Sequence, residues 1–116
     1  MCDDVAAFRA LMRYVLQEDP AIEVVGEAAD GIAAVEAAGE LQPDVVLLDV
    51  SMPLLDGIDA IPAVLARAPD TRVVALSGFA ADRMAEAALA EGAVAYIEKS
   101  EDVQAVRDAV KAAVAA

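Results

Sequence analysis

Histidine is absent from the 116 residues of this chain. That absence excludes Ser-His-Asp and Cys-His catalysis, histidine-ligated zinc and any role as a phosphohistidine donor. Cations are scarce: 8 Lys and Arg face 21 Asp and Glu, a formal net charge of −13. A surface this negative is repelled by phosphate backbones, so no direct nucleic-acid binding is expected; it suits a basic protein partner or a metal cation. Without histidine, a metal must be held through oxygen, which points to a hard cation such as Mg²⁺. Cys2 is the single cysteine and cannot form an internal disulfide, in keeping with a reducing compartment. No apolar run approaches the ~18 residues of a membrane span. The start, Met1-Cys2-Asp3-Asp4, is acidic where a secretory signal would be basic, so no membrane partner and a cytoplasmic location are expected.

What the chain does have is a core, with hydrophobic residues at 59%, and a length that suits one domain. Val5, Phe8, Leu11, Met12 and Val15 recur at helical spacing and predict a helix over 5–17, ended by Pro20. Further helices are expected over 31–40 behind a possible Asp30 cap, 57–67 despite Pro62, 81–91 before Gly92, and 102–115. Strands are expected over 22–28, 45–49, 72–76 and 93–97. They are short, apolar and β-branched, as strands buried on both faces are. Alternating helices and strands of this kind predict an α/β layer fold around a parallel sheet.

Asp49 ends the apolar run Val45-Val46-Leu47-Leu48 and precedes a turn-forming stretch that includes Ser51, Pro53 and Gly57. Open α/β sheets place their ligands just outside the carboxyl ends of their strands. Asp3-Asp4, the Ser77 hydroxyl and the Lys99 ammonium are expected to converge on the same end. Carboxylates to hold a metal, one carboxylate to be phosphorylated, a hydroxyl and a lysine make a phosphoryl-accepting site. A carboxylate oxygen can attack phosphorus to form an aspartyl phosphate, a reaction that depends mostly on positioning and electrostatics.

Asp3-Asp4, Asp49 with Met52-Pro53 and Asp56-Gly57, Ser77-Gly78, and Gly92-Ala93 with Tyr96 and Lys99 stand in an order and at separations that resemble the receiver domain of bacterial two-component response regulators. The resemblance covers essentially the whole chain. Ile22 to Ala28 is similar to the subgroup usually fused to a helix-turn-helix output domain. It implies a flavodoxin-like doubly wound parallel sheet of order 2-1-3-4-5 and a stand-alone phosphoacceptor domain over 1–116. It further implies Asp49 as phosphoacceptor, Asp4 as a direct Mg²⁺ ligand with Asp3 beside it, and the Ser51 carbonyl completing the protein ligands. Ser77 would contact the phosphoryl group and Lys99 would add a fixed positive charge. Ser77 and Tyr96 would form the switch that alters the face around the fourth helix and the family's fifth strand. Such a domain is not an enzyme in its own right but assists its own phosphorylation and dephosphorylation. Its partners would be a sensor histidine kinase or phosphotransfer protein and a downstream protein target, with a homodimer as one option.

Two features depart from the pattern. Ser100 stands where many relatives have proline. Only Met1 and Cys2 precede Asp3-Asp4, so the family's first strand is expected to be largely missing. Five buried apolar side chains at ~1.5–3 kcal/mol each would rival a domain's whole stability of ~5–15 kcal/mol. Without that strand the domain is expected to be marginal, or to fill the gap with a donated strand or by closing up. A late start, a shortened chain and a true variant all fit. Rival readings are a non-phosphorylated receiver-like interaction module and a dehalogenase-type phosphatase, which needs a second Asp where Ser51 stands. An adhesion-type metal site is broken by Pro53, and a flavin site lacks its glycine loop. Reading the DNA upstream of Met1 tests the late-start explanation: an in-frame run encoding several β-branched residues is expected, and an immediate stop codon would contradict it.

Overall fold

The computed structural model describes residues 6–49, 57–77, 82–98 and 103–115, with the backbone alone at 57, 58, 77, 82–85, 103 and 115. Within these, helices α1 (Ala6–Gln17), α2 (Gly31–Leu41), α3 (Gly57–Arg67), α4 (Asp82–Ala90) and α5 (Val103–Ala115) accompany strands β1 (Val45–Asp49), β2 (Arg72–Ser77) and β3 (Ala95–Glu98). The expected bounds of β1 and α3 match, and the other observed elements differ by one or two residues at an end. The strands pair in parallel in the order β1-β2-β3.

Strand periodicity divides the core into two layers. Val46, Leu48, Val73 and Ala75 pack with Ala34, Ala38, Ile61 and Val64 of α2 and α3. Leu47, Val74 and Leu76 pack with Met12 and Leu16 of α1 and Val106 and Val110 of α5. Successive strand residues thus enter opposite layers, and each is apolar because both faces are covered. Pro62 lies inside α3, beyond its first turn, with its ring on the exposed side.

Local chemistry sets the ends of these elements. The Asp30 side chain accepts from the Ala33 amide at 2.8 Å and caps α2, as expected. Gly39 lets α3 approach closely, since a Cβ there would lie 3.0 Å from Cδ of Arg67. Gln42 closes α2 in the left-handed region at φ 47, and its side-chain Nε2 donates to the Arg67 carbonyl at 2.8 Å. Buried Thr71 donates to the Pro43 carbonyl at 2.6 Å, and the Arg72 amide to the Asp44 carbonyl at 2.9 Å. Those bonds start the β1–β2 ladder in register.

The expected strand over 22–28 is not a ladder strand. Apart from one isolated bridge at Ala28, this stretch carries no strand pairing. β-branched composition describes residues that fit a pleated surface; it does not supply the neighbouring backbone that pairing needs. Between this stretch and β1 lies a cleft of about 410 Å³. The segment is held instead by Ile22 and Val24, which pack on the α1/α5 layer, and by Arg9 and Arg13 paired with Glu27.

Gly92 ends α4 at φ 118, where a Cβ would sit 2.6 Å from Cδ1 of Leu65. Gly92→Ala therefore combines backbone strain with a clash, and a loss of about 1–3 kcal/mol is expected in denaturant unfolding; an unchanged midpoint would contradict it. Asp19 is held below the ordinary carboxylate range by the Lys111 ammonium at 2.9 Å and by the Ala21 amide. A depressed folded-state pKa contributes stability above the unfolded value, and that contribution disappears as pH falls through the folded value. Wild type and Asp19→Asn should therefore differ slightly at neutral pH and converge in strong acid; a gap that widens in acid would contradict this.

Candidate functional site

The parallel register brings the polar ends of the strands together. Asp49, the last residue of β1, pairs with Leu76, and the next residue of β2 is Ser77. Strand spacing then sets the Cα atoms of Asp49 and Ser77 about 6 Å apart. Ser77 in turn pairs with Glu98, the last residue of β3. Asp49 and Ser77 thus share one sheet edge, at the carboxyl ends where α/β folds place ligands. Lys99 follows Glu98 in sequence but lies outside the described residues, as do Asp3, Asp4, Ser51 and Ser100.

Asp49 is buried, with 1% of its surface exposed. It is one of two buried polar residues among those described, the other being Thr71. The sequence reading puts this carboxylate at the mouth of a buried strand; it does lie at the end of β1, and it is itself buried. A carboxylate withdrawn from water costs several kcal/mol unless it is hydrogen-bonded, ion-paired or metal-bound. Asp49 does have an interaction partner.

Tyr96 pairs in register with Ala75, two residues before Ser77, and is half-buried against the α2/α3 layer. Beside it in sequence and on the preceding helix, Val94 and Leu89 are about half exposed. The expected switch face around α4 and β3 thus carries exposed apolar side chains. Glu98 is the residue that sequence reasoning missed at this edge. Its signal in the sequence is its place before Lys99, and the register sets Glu98 opposite Ser77.

Among the described residues, no group of three acidic or other metal-binding side chains forms a metal cluster. The donor chemistry nevertheless fits a hard cation: the chain offers carboxylate oxygen at Asp49 and has no histidine. No helix of the described residues is long and apolar enough to cross a membrane.

Residues 1–111 match the model of the response regulator receiver domain. The chain is 45% identical over 100 residues to a protein-glutamate methylesterase/protein-glutamine glutaminase of Geobacter sulfurreducens, covering 84% of this chain and 27% of that protein's length. In structure it is similar to the signal receiver domain of the response regulator NarL from Mycobacterium tuberculosis, with a TM-score of 0.93, 33% identity, and coverage of 98% of this chain and 92% of that one. It is also similar to a chain of the CheX-CheY-BeF3-Mg complex from Borrelia burgdorferi, with a TM-score of 0.84, 26% identity, and coverage of 96% and 84%. These neighbours share the flavodoxin-like α/β fold with a parallel sheet, to which β1, β2 and β3 conform. The chain belongs to the response regulator receiver domain family.

Proposed function

We propose that Asp49 is the phosphoacceptor of this receiver domain, with Ser77 and Lys99 assisting. Phosphorylation on aspartate and Mg²⁺ binding are general to the family. The observation that supports the reading is the register, in which Asp49 ends β1 opposite Leu76, next to Ser77, and Ser77 pairs with Glu98, the residue before Lys99 in sequence. In the forward step a carboxylate oxygen of Asp49 attacks the phosphorus of a phosphohistidine on a sensor kinase or phosphotransfer protein. The P–N bond breaks and its electron pair returns to the imidazole nitrogen, leaving an acyl phosphate on Asp49. The Ser77 hydroxyl donates to a phosphoryl oxygen, and Lys99 offsets the charge spread over the others. Asp3, Asp4, Asp49 and the Ser51 carbonyl would hold Mg²⁺, which when bound keeps crowded carboxylates ionised and neutralises phosphoryl charge. Attack of water on the acyl phosphate resets the domain.

Output follows as a population shift. Ser77 turns toward the phosphoryl group, Tyr96 moves inward, and the α4/β3 face with Leu89 and Val94 changes its affinity for a downstream protein. One observation favours a second reading, a receiver-like interaction module that is never phosphorylated: Asp49 is enclosed.

Acetyl phosphate labelling followed by intact-mass measurement separates the two. The wild-type chain with Mg²⁺ is expected to gain one phosphoryl group, and Asp49→Asn or chelation to abolish the gain. Lys99→Ala should label roughly 10²–10³ slower, the usual effect of losing one preorganised charge donor. A wild-type chain that stays unlabelled, with its fold intact by circular dichroism, would favour the interaction module.

A further inference from the structure

The proposed chemistry leaves one charged residue of the site edge without a role. Glu98 ends β3 as the Cα partner of Ser77, which itself follows the Leu76 that pairs with Asp49. Ala75 and Tyr96 are in register one step earlier, and both belong to the α2/α3 layer. Strand positions return to the same face every second residue, so the next pair on that face is Ser77 and Glu98. Glu98 is thus the neighbour of both switch residues, of Ser77 across the ladder and of Tyr96 along the strand.

Folding does not demand a carboxylate there. The residues of β3 before it are Ala95, Tyr96 and Ile97, and glutamate is disfavoured in strands. Glu98 is half-buried, whereas the acids of the preceding segment, Glu86 and Glu91, are exposed. Partial withdrawal from water costs a charged group free energy and strengthens its field, because less solvent screens it. Glu98 does have an interaction partner. Replacing it with glutamine removes one unit of negative charge whatever that partner is.

Two strand spacings, about 10 Å, separate Glu98 from Asp49. A carboxylate at that range lowers the potential of the site, with a sign opposite to that of Lys99, the next residue. The consequence differs for the two ions the site would receive. A divalent cation is favoured and an incoming phosphoryl group is opposed.

We infer that Glu98 is a charge-tuning residue of the phosphoacceptor site: beside Ser77 and Tyr96, its carboxylate strengthens Mg²⁺ binding and restrains phosphoryl transfer to Asp49. The inference rests on the phosphoacceptor reading of Asp49 and adds a residue that sets its rate. Glu98 acts through its field and takes no part in bond making.

The test compares the wild-type 116-residue chain with Glu98→Gln, which is nearly isosteric, and Glu98→Asp, each checked for fold by circular dichroism. Acetyl phosphate labelling at saturating Mg²⁺ is followed by intact mass. Glu98→Gln is expected to label about three- to tenfold faster, the effect of one charge at this range in a partly solvated site. Glu98→Asp restores the charge and should bring the rate back toward the wild-type value. The gap between wild type and Glu98→Gln should close as KCl rises to about 1 M, where the screening length falls to about 3 Å. A separate Mg²⁺ titration without acetyl phosphate, read by amide NMR, should show weaker binding in Glu98→Gln. A packing defect would slow labelling as well as weaken Mg²⁺ binding; a charge effect moves the two in opposite directions. The inference is overturned if wild type labels and Glu98→Gln labels no faster, if the gap ignores salt, or if Mg²⁺ binds Glu98→Gln as tightly as wild type. A folded wild-type chain that takes no label overturns the phosphoacceptor reading, and this inference with it.

Discussion

The pairing of β1 with β2 is the constraint on which the rest of the molecule depends. It starts at the bond from the Arg72 amide to the Asp44 carbonyl, reinforced by Thr71 on Pro43, and runs through Asp49 opposite Leu76. A slip of one residue would turn Val46 and Leu48 out of the α2/α3 layer and Leu47 out of the α1/α5 layer. The same slip would carry Asp49 away from Ser77. Packing and site geometry are therefore set by one ladder, and the cost of disrupting the core protects the alignment of the site.

Burial of Asp49 gives that alignment functional meaning. Leu48 and Leu76, its neighbours along and across the ladder, are essentially unexposed, so the carboxylate sits on a rigid support. Such a support would suit the proposed phosphoacceptor, whose chemistry depends on positioning.

Much of this was legible in the sequence because it rests on local patterns. Helical spacing located α1 and α5, Asp30 announced the start of α2, and the run Val45 to Leu48 announced a strand buried on both faces. Asp49 and Ser77 were readable as strand-end residues, and the register makes them neighbours. Pairing between distant segments was not legible. Residues 22–28 carry β-branched side chains but have no ladder neighbour among the described residues, and nothing within seven residues encodes that. Gln42 in the left-handed region was missed because the glycine usually found there is absent; its side-chain Nε2 on the Arg67 carbonyl offsets the strain. Burial of Asp49 was missed because it depends on how the whole sheet edge folds.

The most direct test of the phosphoacceptor assignment is a beryllofluoride titration with Mg²⁺, followed by two-dimensional amide NMR. The account predicts saturable shifts at Asp49, Ser77 and Tyr96 that spread to Leu89 and Val94 and vanish in Asp49→Asn. Shifts that persist unchanged in Asp49→Asn, or a wild-type spectrum that does not respond in a folded chain, would contradict it.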